Sequence, residues 1–248
     1  MSTLWISHRG ESHDAPENTL AAFNLAMERN TDGMETDIHF TSDRVVVCSH
    51  DSVTTRTCGV SCEIKNTSFE DLRKLNACNG KAEYNGEKIP LFSEALKTLK
   101  PGKLFYVEIK VDDPAIIPAM MKEVDAAGVP REQIVMISFI KSIVKQFKVE
   151  YPDVKALWLT SFGKDDNGKY HPDFEEIMDV LYDIKADGID AHGLIEHFDA
   201  DMVRKLQGEG YEVAVWTMDT EEGAKYYLDA NVDSITSNCA AKLMNTVK

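Results

Sequence analysis

From Leu91 onward, short runs rich in Val, Ile and aromatic residues alternate with longer stretches of helical period. This alternation limits the chain to a parallel α/β architecture, because strands separated by helix-length segments cannot pair as hairpins. The strand-like runs are Lys103–Lys110, Gln133–Ser138, Val154–Thr160, Gly188–Asp190, Tyr211–Trp216 and Val232–Thr236. Between and beside them, Leu91–Leu99, Pro114–Ala127, Ile140–Glu150, Phe174–Lys185, Ala200–Glu209 and Thr220–Ala230 read as helices. Two earlier strands, one ending at His8 and one over Gly33–Phe40, bring the strands to eight. Eight strands alternating with helices in roughly 250 residues predict a TIM-type (β/α)8 barrel over an open doubly wound sheet. The 248 residues are expected to form one barrel domain. Periodicity breaks down over about residues 51–90, apart from a short helical piece at Ser68–Leu75. That stretch reads as an insertion after the second strand, on a loop where specificity is adjusted.

Polar clusters sit at the ends of the first strands. The chain runs Ile6-Ser7-His8-Arg9-Gly10, Pro16-Glu17-Asn18-Thr19, Gly33-Met34-Glu35-Thr36-Asp37 and Ser49-His50-Asp51. The β-branched run Val45–Cys48 delivers His50, and Leu20–Met27 reads as an amphipathic helix capped by an Asn or a Thr. Residues i and i+2 of a strand share a face, so Glu35 and Asp37 present two carboxylates side by side. Like charges held that close call for a cation, and oxygen donors suit Mg²⁺ or Ca²⁺. Glu108 and Lys110 form another such pair, adding a third carboxylate and a cation for a bound anion. In barrels of this type functional groups collect at the C-terminal ends of strands, where all of these residues fall.

The chain carries 27 Lys and Arg against 42 Asp and Glu, a formal net charge of −15. So acidic a protein gains nothing from counterion release on a phosphate backbone, which excludes nucleic acid as a partner. An anionic substrate must be held by local cations against the global field. No strand is followed by G-x-G-x-x-G or a Walker loop, so nucleotide signatures are missing. No apolar run reaches the roughly 20 residues of a membrane span. The strand-like run at Thr3–Ser7 begins too early to follow a leader, which predicts a cytoplasmic address; a trimmed leader would make the protein exported. The five cysteines include no C-x-x-C pair, and a bridge among Cys58, Cys62 and Cys78 is open to an exported protein. The surface charge is compatible with monomer or dimer.

Taken in order, His8-Arg9-Gly10, Pro16-Glu17-Asn18-Thr19, Glu35-Thr36-Asp37, His50-Asp51, Glu108-Ile109-Lys110 and, more loosely, Trp216-Thr217 resemble the glycerophosphodiester phosphodiesterase family. The resemblance implies a divalent metal on Glu35, Asp37 and Glu108, acid-base work by His8 and His50, and phosphate contacts from Arg9 and Lys110. It also implies a small-molecule phosphodiester substrate, cleaved to glycerol 3-phosphate and an alcohol. Asn18 is read as a helix cap or a substrate contact, and Trp216 as a pocket wall against the substrate or as core. Phe139 has the same two readings. His13, His39, His171, His192 and His197 are read as structural. The family's last strand ends in a Thr-Asp-x-Pro-like element; Thr236-Ser237-Asn238-Cys239 departs from it. Alternatives are lysophospholipase D-like or phosphoinositide-type cleavage on the same barrel, and a noncatalytic metal- or phosphodiester-binding module.

Overall fold

The computed structural model describes residues 2–247. Its strands in chain order are β1 (Leu4–Ser7), β2 (Gly33–Phe40), β3 (Val46–Cys48), β4 (Leu104–Ile109), β5 (Ile134–Ser138), β6 (Lys155–Thr160), β7 (Gly163–Lys164), β8 (Tyr170–His171), β9 (Gly188–His192), β10 (Glu212–Trp216) and β11 (Ser234–Ser237). The helices are α1 (Leu20–Glu28), α2 (Thr55–Cys58), α3 (Phe69–Leu72), α4 (Phe92–Leu96), α5 (Ile116–Ala127), α6 (Lys141–Glu150), α7 (Phe174–Ile184), α8 (Ala200–Gly208), α9 (Glu221–Asp229) and α10 (Ala240–Thr246).

Parallel pairing runs β1-β11-β10-β9-β6-β5-β4-β2, and β2 pairs back onto β1, so eight strands close a TIM-type barrel. A closed parallel sheet is covered on both faces, and all eight residues of β2 are buried accordingly. Between strands and helices lies the main core, with Phe23, Met27, Phe92, Phe105 and Phe147 fully or nearly fully buried. Inside the barrel a second cluster holds Ile6, Tyr106, Val135, Ile137, Leu157, Leu159 and Ala214. Helix starts follow capping chemistry. Thr19 caps α1 by accepting from Ala22 N, Asp173 closes a capping box with Glu176 on α7, and Asp199 and Thr220 cap α8 and α9.

The expected eight strands are all present, with ends shifted by a residue or two. The helix expected over Ser68–Leu75 shortens to α3, and Leu91–Leu99 shortens to α4. The β7–β8 hairpin, α2 and α10 had no counterpart in the sequence reading, and β3, expected as a strand-like run, pairs in a way that the run does not show. The β7–β8 hairpin is built from exposed and half-buried residues with no apolar alternation. Helix α10 packs Ala240, Ala241 and Leu243 inward after the last strand. Strand β3 folds back antiparallel on the end of β2, pairing Cys48 with Ile38 and Val46 with Phe40. The excursion after β3 carries its own small core of Val47, Ile64, Leu72, Ala77 and Ile89. All five cysteines, Cys58, Cys62 and Cys78 among them, are free thiols. No helix among the described residues is long and apolar enough to cross a membrane.

Candidate active site

Register brings the carboxylates together. Strands β2 and β4 are neighbours with Asp37 opposite Glu108, and Glu35 lies two residues back on the same inward face of β2. Carboxylate oxygens of Glu35, Asp37 and Glu108 lie within 4.8 Å of one another, and all three side chains are buried. This cluster can hold a metal ion. Asp37 Oδ1 is buried and, among the described residues, makes no hydrogen bond, with Lys110 Nζ the cation nearby at 3.5 Å. Without a cation the three cannot all stay ionised. Burial first, then the Asp37 charge, pushes Glu35 well above the usual carboxylate range. Burial and Asp37 likewise push Glu108 up to about 8, against the pull of Lys110. Burial works to raise Asp37 too, but Arg9, Lys110 and His50 outweigh it and hold that carboxyl far below its ordinary value.

Two cations lean on the cluster. Arg9, held at φ 57°, donates its backbone N–H to Glu35 Oε2 at 2.8 Å. Its guanidinium lies 3.3 Å from Asp37 Oδ2 and donates to Glu17 Oε1 at 3.0 Å. Lys110 Nζ sits 2.8 Å from Glu108 Oε1 and 3.5 Å from Asp37 Oδ1.

The two imidazoles reach the same pocket, a cavity of about 170 Å³ lined by His8, Arg9, Glu35, His50 and Glu108 on one side and by Ile137, Phe139, Leu159, Asp190, Trp216 and Thr236 elsewhere. Each has one ring nitrogen tied down. His8 Nδ1 meets Asn238 Oδ1 at 2.8 Å. The Asn238 amide is oriented by Asp219, whose Oδ2 accepts from Asn238 Nδ2 at 2.6 Å. Asn238 Oδ1 is therefore an acceptor, His8 Nδ1 carries the proton, and Nε2 is left as a lone pair 4.0 Å from Glu35 Oε2. Burial, then the Arg9 charge, lowers His8 to about 4. His50 Nδ1 donates to Asp51 Oδ1 at 2.7 Å, which leaves its Nε2 free as well. Strand β3 carries His50 back over the end of β2, and His39 fixes the turn by donating from Nε2 to the His50 carbonyl at 3.2 Å.

Asn18 is not the helix cap. At φ 54° it turns inward, donates to Asp37 Oδ2 at 2.8 Å, and accepts from Thr36 Oγ1 at 2.7 Å and Asp37 N at 3.2 Å. Both ends of its amide are spent on strand β2, behind the carboxylate. Trp216 lies in the pocket wall, edge-on to Phe139 at 5.6 Å, with Nε1 donating to the Asp190 carbonyl at 3.1 Å.

The sequence reading missed Asn238, Asp219 and Arg56. Arg56 from α2 bridges Asp51 Oδ2 at 2.7 Å and Glu17 at 2.8 Å, so His50 and Arg9 are linked through one chain of ion pairs. Its only sequence signal is an arginine five residues after His50-Asp51. Asn238 lies in the element that departs from the family pattern.

A sequence-family model described as the glycerophosphoryl diester phosphodiesterase family matches residues 8–242. Mouse glycerophosphodiester phosphodiesterase 1 is 30% identical over 263 residues, covering 95% of this chain and 79% of that protein. A glycerophosphodiester phosphodiesterase of Caldanaerobacter subterraneus is 28% identical over all of this chain and 99% of its own. Among solved structures, an Oleispira antarctica phosphodiesterase in complex with the product sn-glycerol-3-phosphate superposes with a TM-score of 0.84 at 24% identity, covering 97% of this chain and 94% of that one.

Proposed function

The chain belongs to the glycerophosphoryl diester phosphodiesterase family, and on that footing we propose that it hydrolyses glycerophosphodiesters to glycerol 3-phosphate and an alcohol, with His8 and His50 as the acid-base pair. Three carboxylates gathered within 4.8 Å of one another, with Glu35 and Glu108 lining the same pocket as two singly tethered imidazoles, are the observation that carries this reading. Glu35, Asp37 and Glu108 would hold a divalent cation, Mg²⁺ or Ca²⁺ from their all-oxygen donor set, which when bound neutralises charge on the phosphoryl oxygens. Arg9 and Lys110 give two positive charges against three negative ones, so a divalent ion turns the centre net positive and fit for a phosphodiester anion.

The protein groups then divide the work. One imidazole, entering neutral, takes at Nε2 the proton of the attacking hydroxyl, and the other, entering as the imidazolium, gives its Nε2 proton to the departing alkoxide. Asn238 and Asp51 hold the Nδ1–H of the two rings, so that both transfers fall to Nε2. Arg9 and Lys110 bear on the phosphoryl oxygens, Asn18 holds Asp37 in place, and Trp216 walls the pocket beside the alcohol group. The barrel and its excursion act as one catalytic unit, because Arg56 of the excursion holds both Asp51 and Glu17. Among the large apolar side chains exposed in the described residues, Phe139 alone lines the pocket, which gives a lysophospholipid chain little to rest on. The test is release of glycerol 3-phosphate from glycerophosphocholine by purified protein with Mg²⁺ or Ca²⁺ and with a chelator. Turnover that the chelator stops is expected; intact substrate with either ion would leave a binding module or another ester.

A further inference from the structure

Outside the carboxylate cluster, the pocket carries two polar groups that the proposed chemistry does not use. Strand β9 is four strands from β2 in either direction round the ring, diametrically opposite. It presents Asp190, 1% exposed, whose Oδ1 has no hydrogen-bond partner among the described residues. Strand β11, next to the His8 strand, presents Thr236, 2% exposed, whose Oγ1 is likewise unpartnered. Both residues line the catalytic pocket. Their surroundings there are apolar: Ile137, Leu159, Phe139 and the ring of Trp216. One layer down the barrel closes, with Tyr106 and Ser234 hydroxyls in mutual contact at 3.1 Å.

A buried polar atom left without a partner costs about 1–3 kcal/mol, so two in one small cavity mark places where something else supplies the bond. We propose that Asp190 and Thr236 form a hydroxyl-binding subsite that grips the glycerol unit of the diester while its phosphate lies at the carboxylate cluster. The inference rests on the phosphodiesterase reading above and adds the residues that select the glycerol unit. Chemistry favours a hydroxyl over a cationic head group. A threonine hydroxyl both donates and accepts, as does a protonated carboxyl, and an aliphatic hydroxyl complements both. Asp190 holds its proton at neutral pH, since burial and, less, the charge of Glu212 raise it to about 8. A quaternary ammonium has no hydrogen to give either group. The cavity, at about 170 Å³, is also smaller than the roughly 300–1,000 Å³ of a pocket for a drug-sized ligand, which suits a small polyol and leaves the head group at the mouth.

The test compares glycerophosphocholine with propylphosphocholine, which keeps the phosphate and choline and lacks both glycerol hydroxyls, on the Mg²⁺-loaded protein. Asp190→Leu and Thr236→Val are expected to lower kcat/KM on glycerophosphocholine by about tenfold or more and on propylphosphocholine by under about threefold. Asp190→Asn, which keeps a donor and an acceptor, is expected to recover most of that loss. Equal losses on both substrates would make the two residues structural and overturn the proposal, as would no loss on either. A loss that follows choline rather than the hydroxyls would overturn it in favour of cation binding. Calorimetric binding of glycerol 3-phosphate and of propyl phosphate to the same variants reads the subsite without turnover. A protein that fails to hydrolyse either ester yet loses its preference for glycerol 3-phosphate in Asp190→Leu would sink the catalytic reading and keep the subsite; full preference retained would sink the subsite.

Discussion

At the scale of single residues, the two histidines have separable jobs. Replacing His8 or His50 by alanine is expected to lower kcat by about 10²–10⁴, the usual contribution of a positioned acid or base, with metal affinity retained in calorimetric titration. An ester with a p-nitrophenolate leaving group needs no protonation on departure. The variant that lacks the acid should therefore lose much less on that ester than on glycerophosphocholine, and the variant that lacks the base should lose as much on both. Asp190 gives a prediction about stability. Its carboxyl is raised from an ordinary 3.8 to about 8 in the fold, so between those values the folded state holds a proton that the unfolded chain releases, and stability falls as pH rises through that window. Asp190→Asn removes the titration. In urea denaturation it should lessen the loss between pH 5 and 8, the share of Glu35 and Glu108 remaining, and gain on the order of a few kcal/mol over wild type at pH 8; parallel pH curves would contradict this. The carboxylates and histidines could be read in the sequence because each ends an apolar run, at spacings that put them on one face. Asn238 and Asp219 could not, since an amide that orients an imidazole 230 positions away leaves no periodic trace.

At the scale of elements, the site depends on how closely α1 approaches the turn after β1. Gly10 sits at φ 75°, and a Cβ there would lie 2.5 Å from the Ala22 backbone carbon. Gly10→Ala therefore forces α1 outward and strains the turn that aims Arg9. We expect a loss of about 1–3 kcal/mol or more in denaturant titrations, with kcat/KM falling alongside. An unchanged midpoint would mean that the helix moves without cost. The excursion offers a second handle. Arg56→Leu breaks the bridge between Asp51 and Glu17 while leaving every pocket-lining side chain in place, so its expected signature is a fall in kcat with a small change in midpoint. A kcat within about twofold of wild type would mean that Asp51 alone orients His50. Barrel strands were legible because burial on both faces selects Val, Ile and aromatic runs. The β7–β8 hairpin was not, because polar residues such as Lys164 and Tyr170 have no core to point at. Strand β3 was read as a run, but its antiparallel return onto β2 was not, since pairing partners leave no mark on a three-residue stretch.

Over the whole molecule, the fold gathers at one end of its barrel three carboxylates that cannot all stay ionised without a cation. A divalent ion bound there acts on the fold as a ligand does, adding about 2.7 kcal/mol at a hundredfold excess over Kd. Thermal unfolding should therefore shift upward with Mg²⁺ or Ca²⁺, the shift should vanish in Glu35→Gln, and salt of equal ionic strength should not reproduce it. The most direct test of the whole account is an anomalous difference map from crystals grown with Mn²⁺, a stand-in for the harder ions with a usable signal. The account predicts one strong peak bonded to oxygens of Glu35, Asp37 and Glu108 together, facing the cavity that His8 and His50 line. No peak there, or a peak that leaves one of the three carboxylates unbound, would contradict it.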